Sequence, residues 1–501
     1  DRDPGPTKLP GAAIEFDISS LGKVKSVELN IASAICIIQW TNNVRFRIYV
    51  DALNPTVRYA WEGANILPKL VAPSYGNTGI KSGNNPVTEG YSLARLGYLQ
   101  GEVKTAGNFS VYNQKAWGPL KYQAAVAWNT GEGVVSITAH YADKKKAVTA
   151  SKIVRKAISF TFDGAAALHK QWWLNYWSQS SISIPDAQIE KQYYLEIYKF
   201  GAASRKGAPP ISLQAVWTAD NGLLPPWKGD FHSDLNTQLS YWPSYSSNHL
   251  DEASVFTDWL WENKPYFEQY TKRVFGTDGL NVPGVATLRG HEMGGWHMYA
   301  MSPTVSCWLT QHFYWQWRYS MDTDFLKKRA YPWISAVAKH IEQLTVLDNG
   351  IRTLPMSSSP ECHDGGINAW FLDMTNYDRA LTAYVFKIAS EMAGTLGLHE
   401  EAAHWALTGS QIPSVDVDTA TGITIAPGFP MNESHRHFSH LMAFHPLGLL
   451  DFENADDRTL IEKSIENLER QGTGAWCGYS FSWLGNMYAW MHDGQKAAEV
   501  L

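Results

Sequence analysis

Up to about Phe160 the chain alternates apolar and polar residues with a period of two. Ala13-Ile14-Glu15-Phe16-Asp17-Ile18, Val44 to Val50 and Val134 to Ala139 read as strands that hide one face and wet the other. Gly, Asn and Pro punctuate them, at Gly76-Asn77-Thr78-Gly79 and Asn129-Thr130-Gly131. The pattern predicts an antiparallel β-sandwich over residues 1–162. Its first strand comes late, so further residues are expected upstream. Near Leu168 the period changes. Trp172-Trp173-Leu174-Asn175-Tyr176-Trp177 reads as an aromatic linker helix within 163–187. Helical periodicity then continues through 188–501, with starts near Ile189, Leu235, Glu252, Thr304, Asp324, Asn376, Glu400, Ser434, Asp456, Tyr479 and Gly494. Paired inner and outer helices would close a toroid. The starts fall one short of the twelve that an (α/α)6 barrel needs, so a missing last helix is expected. The fold class expected is therefore α+β and multidomain, a sandwich followed by a helical barrel.

Composition narrows the function classes. The formal net charge is -6 and no Lys/Arg stripe is present, which argues against a nucleic-acid partner. Apolar runs such as Leu29 to Trp40 are broken by polar residues and too short to span a bilayer. Cys36, Cys307, Cys362 and Cys477 lie far apart, which speaks against a zinc site or a disulfide framework. Aromatics stand out, with 22 Trp, 24 Tyr and 19 Phe. Each ring read singly is core material, but the excess leans toward carbohydrate, because flat apolar rings stack on sugar C–H faces. The chain starts at Asp1 with no signal peptide and stops at Leu501 inside a helical pattern, so it is expected to be a piece of a longer protein. A secreted or periplasmic location is the expectation, with the cytoplasm left open.

Four polar segments carry candidate chemistry. The stretch Pro225-Pro226-Trp227 through Asp230, His232, Asp234, Asn236 and Gln238 spaces Asp, His and Asn at alternate positions ahead of Tyr241-Trp242-Pro243. Such residues compete for backbone hydrogen bonds and do not build cores. In Leu354-Pro355-Met356-Ser357-Ser358-Ser359-Pro360-Glu361, a Pro-bounded Ser-rich loop presents one carboxylate. Glu361 reads either as a general acid kept protonated by apolar walls or as a helix N-terminal carboxylate after Ser359. His435-Arg436-His437-Phe438-Ser439-His440 places His437 and His440 three apart, as on one helix face. A metal is disfavoured there because Glu433 is the only local carboxylate. The preferred reading has Arg436 and His437 donating to hydroxyls while His435 and His440 brace the loop. Arg289-Gly290-His291-Glu292-Met293-Gly294-Gly295-Trp296-His297 reads as subsite lining and lacks the zinc-protease spacing. No cofactor is expected.

Taken in order, these motifs resemble glycoside hydrolase family 95, whose members include α-L-fucosidases and α-L-galactosidases. The likeness runs through Trp217 to Trp227, His232 to Pro243, Pro355 to Glu361 and His435 to Leu441. It implies an inverting exo-hydrolase of terminal α-linked L-fucose-like or L-galactose-like sugars on oligo- or polysaccharides. Glu361 matches the general acid and Asn236 matches one of two amides that position the water. His232, Arg436 and His437 match sugar-binding positions, with Trp217, Trp227, Glu292 and Trp296 expected around them. An inverting site needs roughly 6.5–9.5 Å between acid and base to admit that water. Two departures stand out. Asp234 replaces the family's first Asn, which turns an amide into a possible base. The family's downstream catalytic carboxylate, in a D-G-N-F-like segment, has no counterpart before Leu501. The competing expectations are a polysaccharide lyase or sugar phosphorylase on the same barrel, and a non-catalytic glycan-binding relative.

Overall fold

The computed structural model describes residues 7–76, 81–85, 89–141, 148–215, 222–295, 297–363 and 366–501. Ten strands lie in the first part: β1 (Ala13–Glu15), β2 (Val24–Asn30), β3 (Ile35–Trp40), β4 (Arg45–Val50), β5 (Val57–Glu62), β6 (Lys69–Val71), β7 (Glu102–Thr105), β8 (Phe109–Lys115), β9 (Leu120–Asn129) and β10 (Glu132–Tyr141). Eight of them form one antiparallel sheet in the order β2-β3-β4-β5-β10-β9-β8-β7. The β9–β10 hairpin pairs Asn129 with Glu132 across Thr130-Gly131, where Gly131 takes a φ of 76° that L residues avoid.

Period-two alternation gives this sheet two apolar faces. Trp40, Phe46, Tyr59, Trp61, Tyr122, Val126 and Trp128 pack on one side against Ile14 and Leu70 of the β1–β6 ribbon. On the other side, Ala125, Ala127 and Val134 meet Ala150 and Val154 of helix α1 (Ala150–Ala157). Ile35, Tyr49 and Ala60 meet Phe162 and Ala166 of α2 (Phe162–Trp177). The second layer over the sheet is thus a two-stranded ribbon with helices opposite, in place of two facing sheets of similar size. The physical reason is that β9 and β10 bury residues on both faces, so the sheet needs a cover on each.

The helical part follows: α3 (Ala187–Ala203), α4 (Asn236–Ser246), α5 (Leu250–Phe275), α6 (Val305–Ser320), α7 (Tyr331–Leu344), α8 (Asn376–Thr395), α9 (His399–Ser410), α10 (Ala455–Gln471), α11 (Gly478–Trp490) and α12 (Gly494–Val500). Helices α6 and α8 are buried nearly all round, through Val305, Trp308, Phe313, Leu381, Val385 and Met392. Helices α5 and α10 bury one stripe and leave the other wet, as outer helices do. Helices α4, α6 and α8 pack in sequence, and α5, α7 and α9 pack against them. A single large core threads all of these, centred on Phe256, Trp308, Phe313 and Trp333. Many tryptophans are therefore packing: Trp40, Trp173, Trp308, Trp317, Trp333 and Trp483 are all buried. No helix among the described residues is long and apolar enough to cross a membrane.

One expected helix is absent. The segment after Ser434 runs as irregular chain with a single 3-10 turn at Ser439–Leu441. The His435 ring takes the backbone N–H of His437 onto Nδ1 at 3.1 Å, a local bond that competes with helix formation. His437 and His440 therefore share no helix face.

Candidate active site

Two loops meet at the centre of the helical part, and hydroxyl contacts join them. In the first, Ser357, Ser358 and Ser359 are buried. Ser357 Oγ donates to Asp378 at 2.5 Å, and the Ser357 and Phe371 backbones exchange hydrogen bonds of 3.0 and 2.8 Å. Thr304 Oγ1 donates to the other Asp378 oxygen at 2.5 Å. Asp378 lies in the first turn of α8, where it fixes the serine loop to α6 and α8 together. Burial pushes its carboxyl up to about 6, against the pull of these donors. Ser359 Oγ meets Ser439 Oγ of the second loop at 2.7 Å.

Glu361 stands at the end of the first loop with a φ of 57°, and His363 follows at 62°. Non-glycine residues held in the left-handed region store strain, and such strain concentrates at functional sites. No helix starts here, so the helix N-terminal reading of Glu361 falls away. Its carboxylate oxygen Oε2 is ion-paired with Arg436 Nε and lies 3.0 Å from His437 Nε2. His435 Nε2–H donates to the Glu361 carbonyl at 3.2 Å, so the second loop holds both backbone and side chain of Glu361. Burial pushes the Glu361 carboxyl up, but His437 and Arg436 outweigh it and hold it at about 2. This corrects the expectation of an acid kept protonated by apolar walls. Burial acts as expected, yet two donors from a distant loop outweigh it.

The third wall comes from Asp230 to Gln238. Strand β11 (Phe231–His232) pairs with β12 (Val285–Ala286), and Ser233 N–H donates to the Gly284 carbonyl at 2.8 Å. Asp230 and His232, two apart on an extended segment, point to one side, and Asp230 Oδ1 lies 2.7 Å from His232 Nδ1. Burial lowers the His232 pKa, but the bond and charge of Asp230, helped by Asp234 and Glu361, raise it to about 9. Asp234 is buried at 5% exposure. Its carboxyl is pushed up by burial, while His232 and His437 oppose the shift and Glu361 adds to it. Asp234 Oδ1, Ser233 Oγ and Thr237 Oγ1 are buried without a hydrogen-bond partner among the described residues. The orphaned Asp234 oxygen, beside the charges of His232, His437 and Glu361, marks where water or a ligand belongs. Asn236 opens α4 directly behind them.

The structure thus brings His232, Asp234, Glu361, Arg436 and His437 into one electrostatic cluster. Trp227 lies upstream of it in a turn where Trp227 and Lys228 both take positive φ, at 48° and 63°. Glu292 is held elsewhere, by Tyr266 Oη and by Arg273 at 2.9 Å, both on α5. Ala286 nonetheless bridges it to the strand pair beside His232. Trp217 and Trp296 lie outside the described residues. Two contributors had no role assigned from sequence. Asp230, already within the candidate stretch, orients His232 from two residues earlier. Tyr479 of α11 sits with its ring 5.5 Å from that of His437, within electrostatic reach of Glu361 and Asp234. Its signal was weak, since it reads as one apolar position in a helix. Among the described residues no group of three or more His, Cys, Asp or Glu is placed to hold a metal.

Comparisons with known proteins agree with the motifs. Alpha-L-fucosidase 2 of Arabidopsis thaliana is 23% identical over 324 residues, covering 62% of this chain and 38% of that protein. Probable alpha-fucosidase A of Aspergillus niger is 22% identical over 312 residues, covering 55% of this chain and 36% of its own. The chain spans little more than a third of the length of these relatives. A solved structure described as a kojibiose phosphorylase from human microbiome superposes with a TM-score of 0.68 at 11% identity, covering 99% of this chain and 74% of that one, a likeness of fold alone. The family description "Glycosyl hydrolase family 95 catalytic domain" matches residues 139–501, and the chain belongs to glycoside hydrolase family 95.

Proposed function

We propose that the chain is the catalytic part of an inverting exo-glycosidase that removes terminal α-linked L-fucose-like or L-galactose-like sugars, its helices arranged as an (α/α)6 barrel. The observation that carries this is Asp234: a buried carboxyl with an unpartnered oxygen, in one cluster with Glu361, Arg436, His437 and His232. Action outside the cytoplasm belongs to the same proposal.

The charge states suggest how the pair works. At rest Glu361 is ionised against Arg436 and His437, while burial and the Glu361 charge raise the proton affinity of Asp234 against the pull of His232 and His437. Sugar hydroxyls that draw Arg436 and His437 away leave burial as the dominant influence on Glu361, so its affinity for a proton rises. A neutral Glu361 no longer repels charge on Asp234, which His232 then stabilises as a carboxylate. Substrate binding thus shifts proton affinity from Asp234 toward Glu361 and arms both groups. Glu361 gives its proton to the glycosidic oxygen as the C–O bond breaks. A water held by Asp234 and Asn236 attacks the anomeric carbon from the opposite face, and Asp234 takes its proton.

Incubation with 2'-fucosyllactose, xyloglucan oligosaccharides and α-L-fucosyl fluoride, followed by proton NMR, tests this. Release of the β-anomer first is the expected result. With the fluoride, Asp234→Gly is expected to be inert until azide is added, then to form the β-glycosyl azide. First release of the α-anomer, turnover that requires phosphate, an ultraviolet-absorbing product or binding without turnover overturns the reading.

A further inference from the structure

Asp230, which orients His232, is itself faced by charge from the opposite direction. Lys8, in the segment that leads into β1, exerts an attractive charge on Asp230, as does Lys228. Lys8 Nζ donates to Ser212 Oγ at 2.5 Å and to the Ala215 carbonyl at 2.6 Å. Its backbone N–H and the Thr7 hydroxyl both donate to the Lys228 carbonyl at 3.2 Å. Burial lowers the Lys8 pKa, and the nearby Asp230 carboxylate opposes that shift. An amine half hidden from water between two neutral acceptors is a costly arrangement unless its charge is used.

The same segment is tied to the sheet. Tyr122 Oη donates to the Pro10 carbonyl at 3.0 Å, and Leu9 packs against both the sheet core and the Tyr75–Leu93–Leu224 cluster. Leu224 immediately precedes the Pro225–Gly229 turn. That turn holds Trp227, Lys228 and Gly229 at positive φ, a conformation that persists only when its surroundings over-determine it. A Cβ on Gly229 would come within 2.9 Å of the Lys8 side chain, so the strap lies directly on the turn. The chain leaves this turn at Asp230 and enters β11 at Phe231, just before His232.

We infer that Lys8 is a positioning residue of the active site: by strapping the Pro225–Gly229 turn, it fixes Asp230, the carboxylate that orients His232. The inference deepens the hydrolase reading but has a readout independent of it. The groups that face Asp230 are Lys8, Lys228 and His232; those that face His232 are Asp230, Asp234 and Glu361. Removing Lys8 frees the turn, so the Asp230–His232 bond forms less often and His232 loses its proton at lower pH.

The test is the titration of His232 in the full chain labelled with [13Cε1]histidine, with its signal assigned through His232→Gln. Lys8→Met is expected to lower the His232 midpoint by about one pH unit or more, and Lys8→Arg to restore it to within about 0.3 units. Ser212→Ala, which removes one anchor of the amine, is expected to shift it part of the way. If Lys8→Met does not fold, Ser212→Ala and Lys8→Arg decide. An unchanged or raised midpoint in a folded Lys8→Met, or an unchanged one in Ser212→Ala where only that variant folds, overturns the inference. A lowered midpoint in a chain that hydrolyses nothing supports the strap and removes the hydrolase reading instead.

Discussion

Ser359 and Ser439, eighty residues apart in sequence, meet hydroxyl to hydroxyl at 2.7 Å, and this contact sets the Glu361 loop against the Arg436–His437 loop. Both serines are buried, so losing one leaves its partner unsatisfied. Ser359→Ala is expected to destabilise the fold by about 1–2 kcal/mol, and Ser439→Ala likewise. The double variant should cost less than the sum. A double-mutant cycle from urea unfolding measures that coupling, and strict additivity would mean that the two hydroxyls do not interact.

Glu361→Gln removes the proton donor but keeps the volume. Turnover of 2'-fucosyllactose is expected to fall by about 10²–10⁴-fold. For α-L-fucosyl fluoride, whose leaving group needs little protonation, the loss should be much smaller. Equal losses on both substrates would place Glu361 outside the acid role.

Two ionisations give stability opposite pH limbs. The folded-state pKa of Glu361 is depressed from 4.5 to about 2, so its contribution is complete above 4.5 and is lost as pH falls toward 2. That of His232 is raised from 6.5 to about 9, so its contribution is complete below 6.5 and is lost as pH rises through 9. Glu361→Gln should therefore flatten the acid limb and leave the alkaline limb, and His232→Gln the reverse. Urea midpoints taken at roughly pH 3, 6 and 9.5 show which limb each variant loses.

Gly284 supports the site without touching its charges. A Cβ there would lie 1.6 Å from the Tyr299 carbonyl oxygen, a distance that only backbone movement relieves. Its own carbonyl receives the Ser233 N–H, so the movement passes straight to the residue before Asp234. Gly284→Ala is expected to lower kcat/KM at least tenfold while changing the unfolding midpoint little relative to a core variant such as Trp308→Ala, which should cost about 3–5 kcal/mol. Wild-type kinetics in folded Gly284→Ala would show that β12 does not position Asp234.

Much of this was legible because chemistry-bearing residues cluster where cores cannot use them. Asp234, Glu361 and Arg436 all lie in polar, proline-bounded segments, and the structure brings those segments together. What stayed hidden depends on neighbours far away in sequence. Nothing around Glu361 announces that His435, Arg436 and His437 will hold it, so its ionised state reads only from the assembled loops. Tyr479 passes for a helix core position, and Lys8 for an exposed lysine near the start of the chain. The helix expected after Ser434 failed for a local reason, the bond from the His437 backbone to the His435 ring. The tryptophans read singly as core material, and Trp308, Trp333 and Trp483 do serve packing, while the lean of the excess toward carbohydrate agrees with the glycoside hydrolase family.

The contact between His435 and the Glu361 carbonyl spans 74 residues of chain. During synthesis at about 5–20 residues per second, the Glu361 loop leaves the ribosome roughly 4 to 15 s before the segment that neutralises it. For that interval a carboxylate destined for a closed cleft has only solvent as its partner, and the left-handed turn that bears it has nothing to hold it in place. The nascent protein therefore carries an unassembled site, and the arrival of Arg436 and His437 is the event that assembles it.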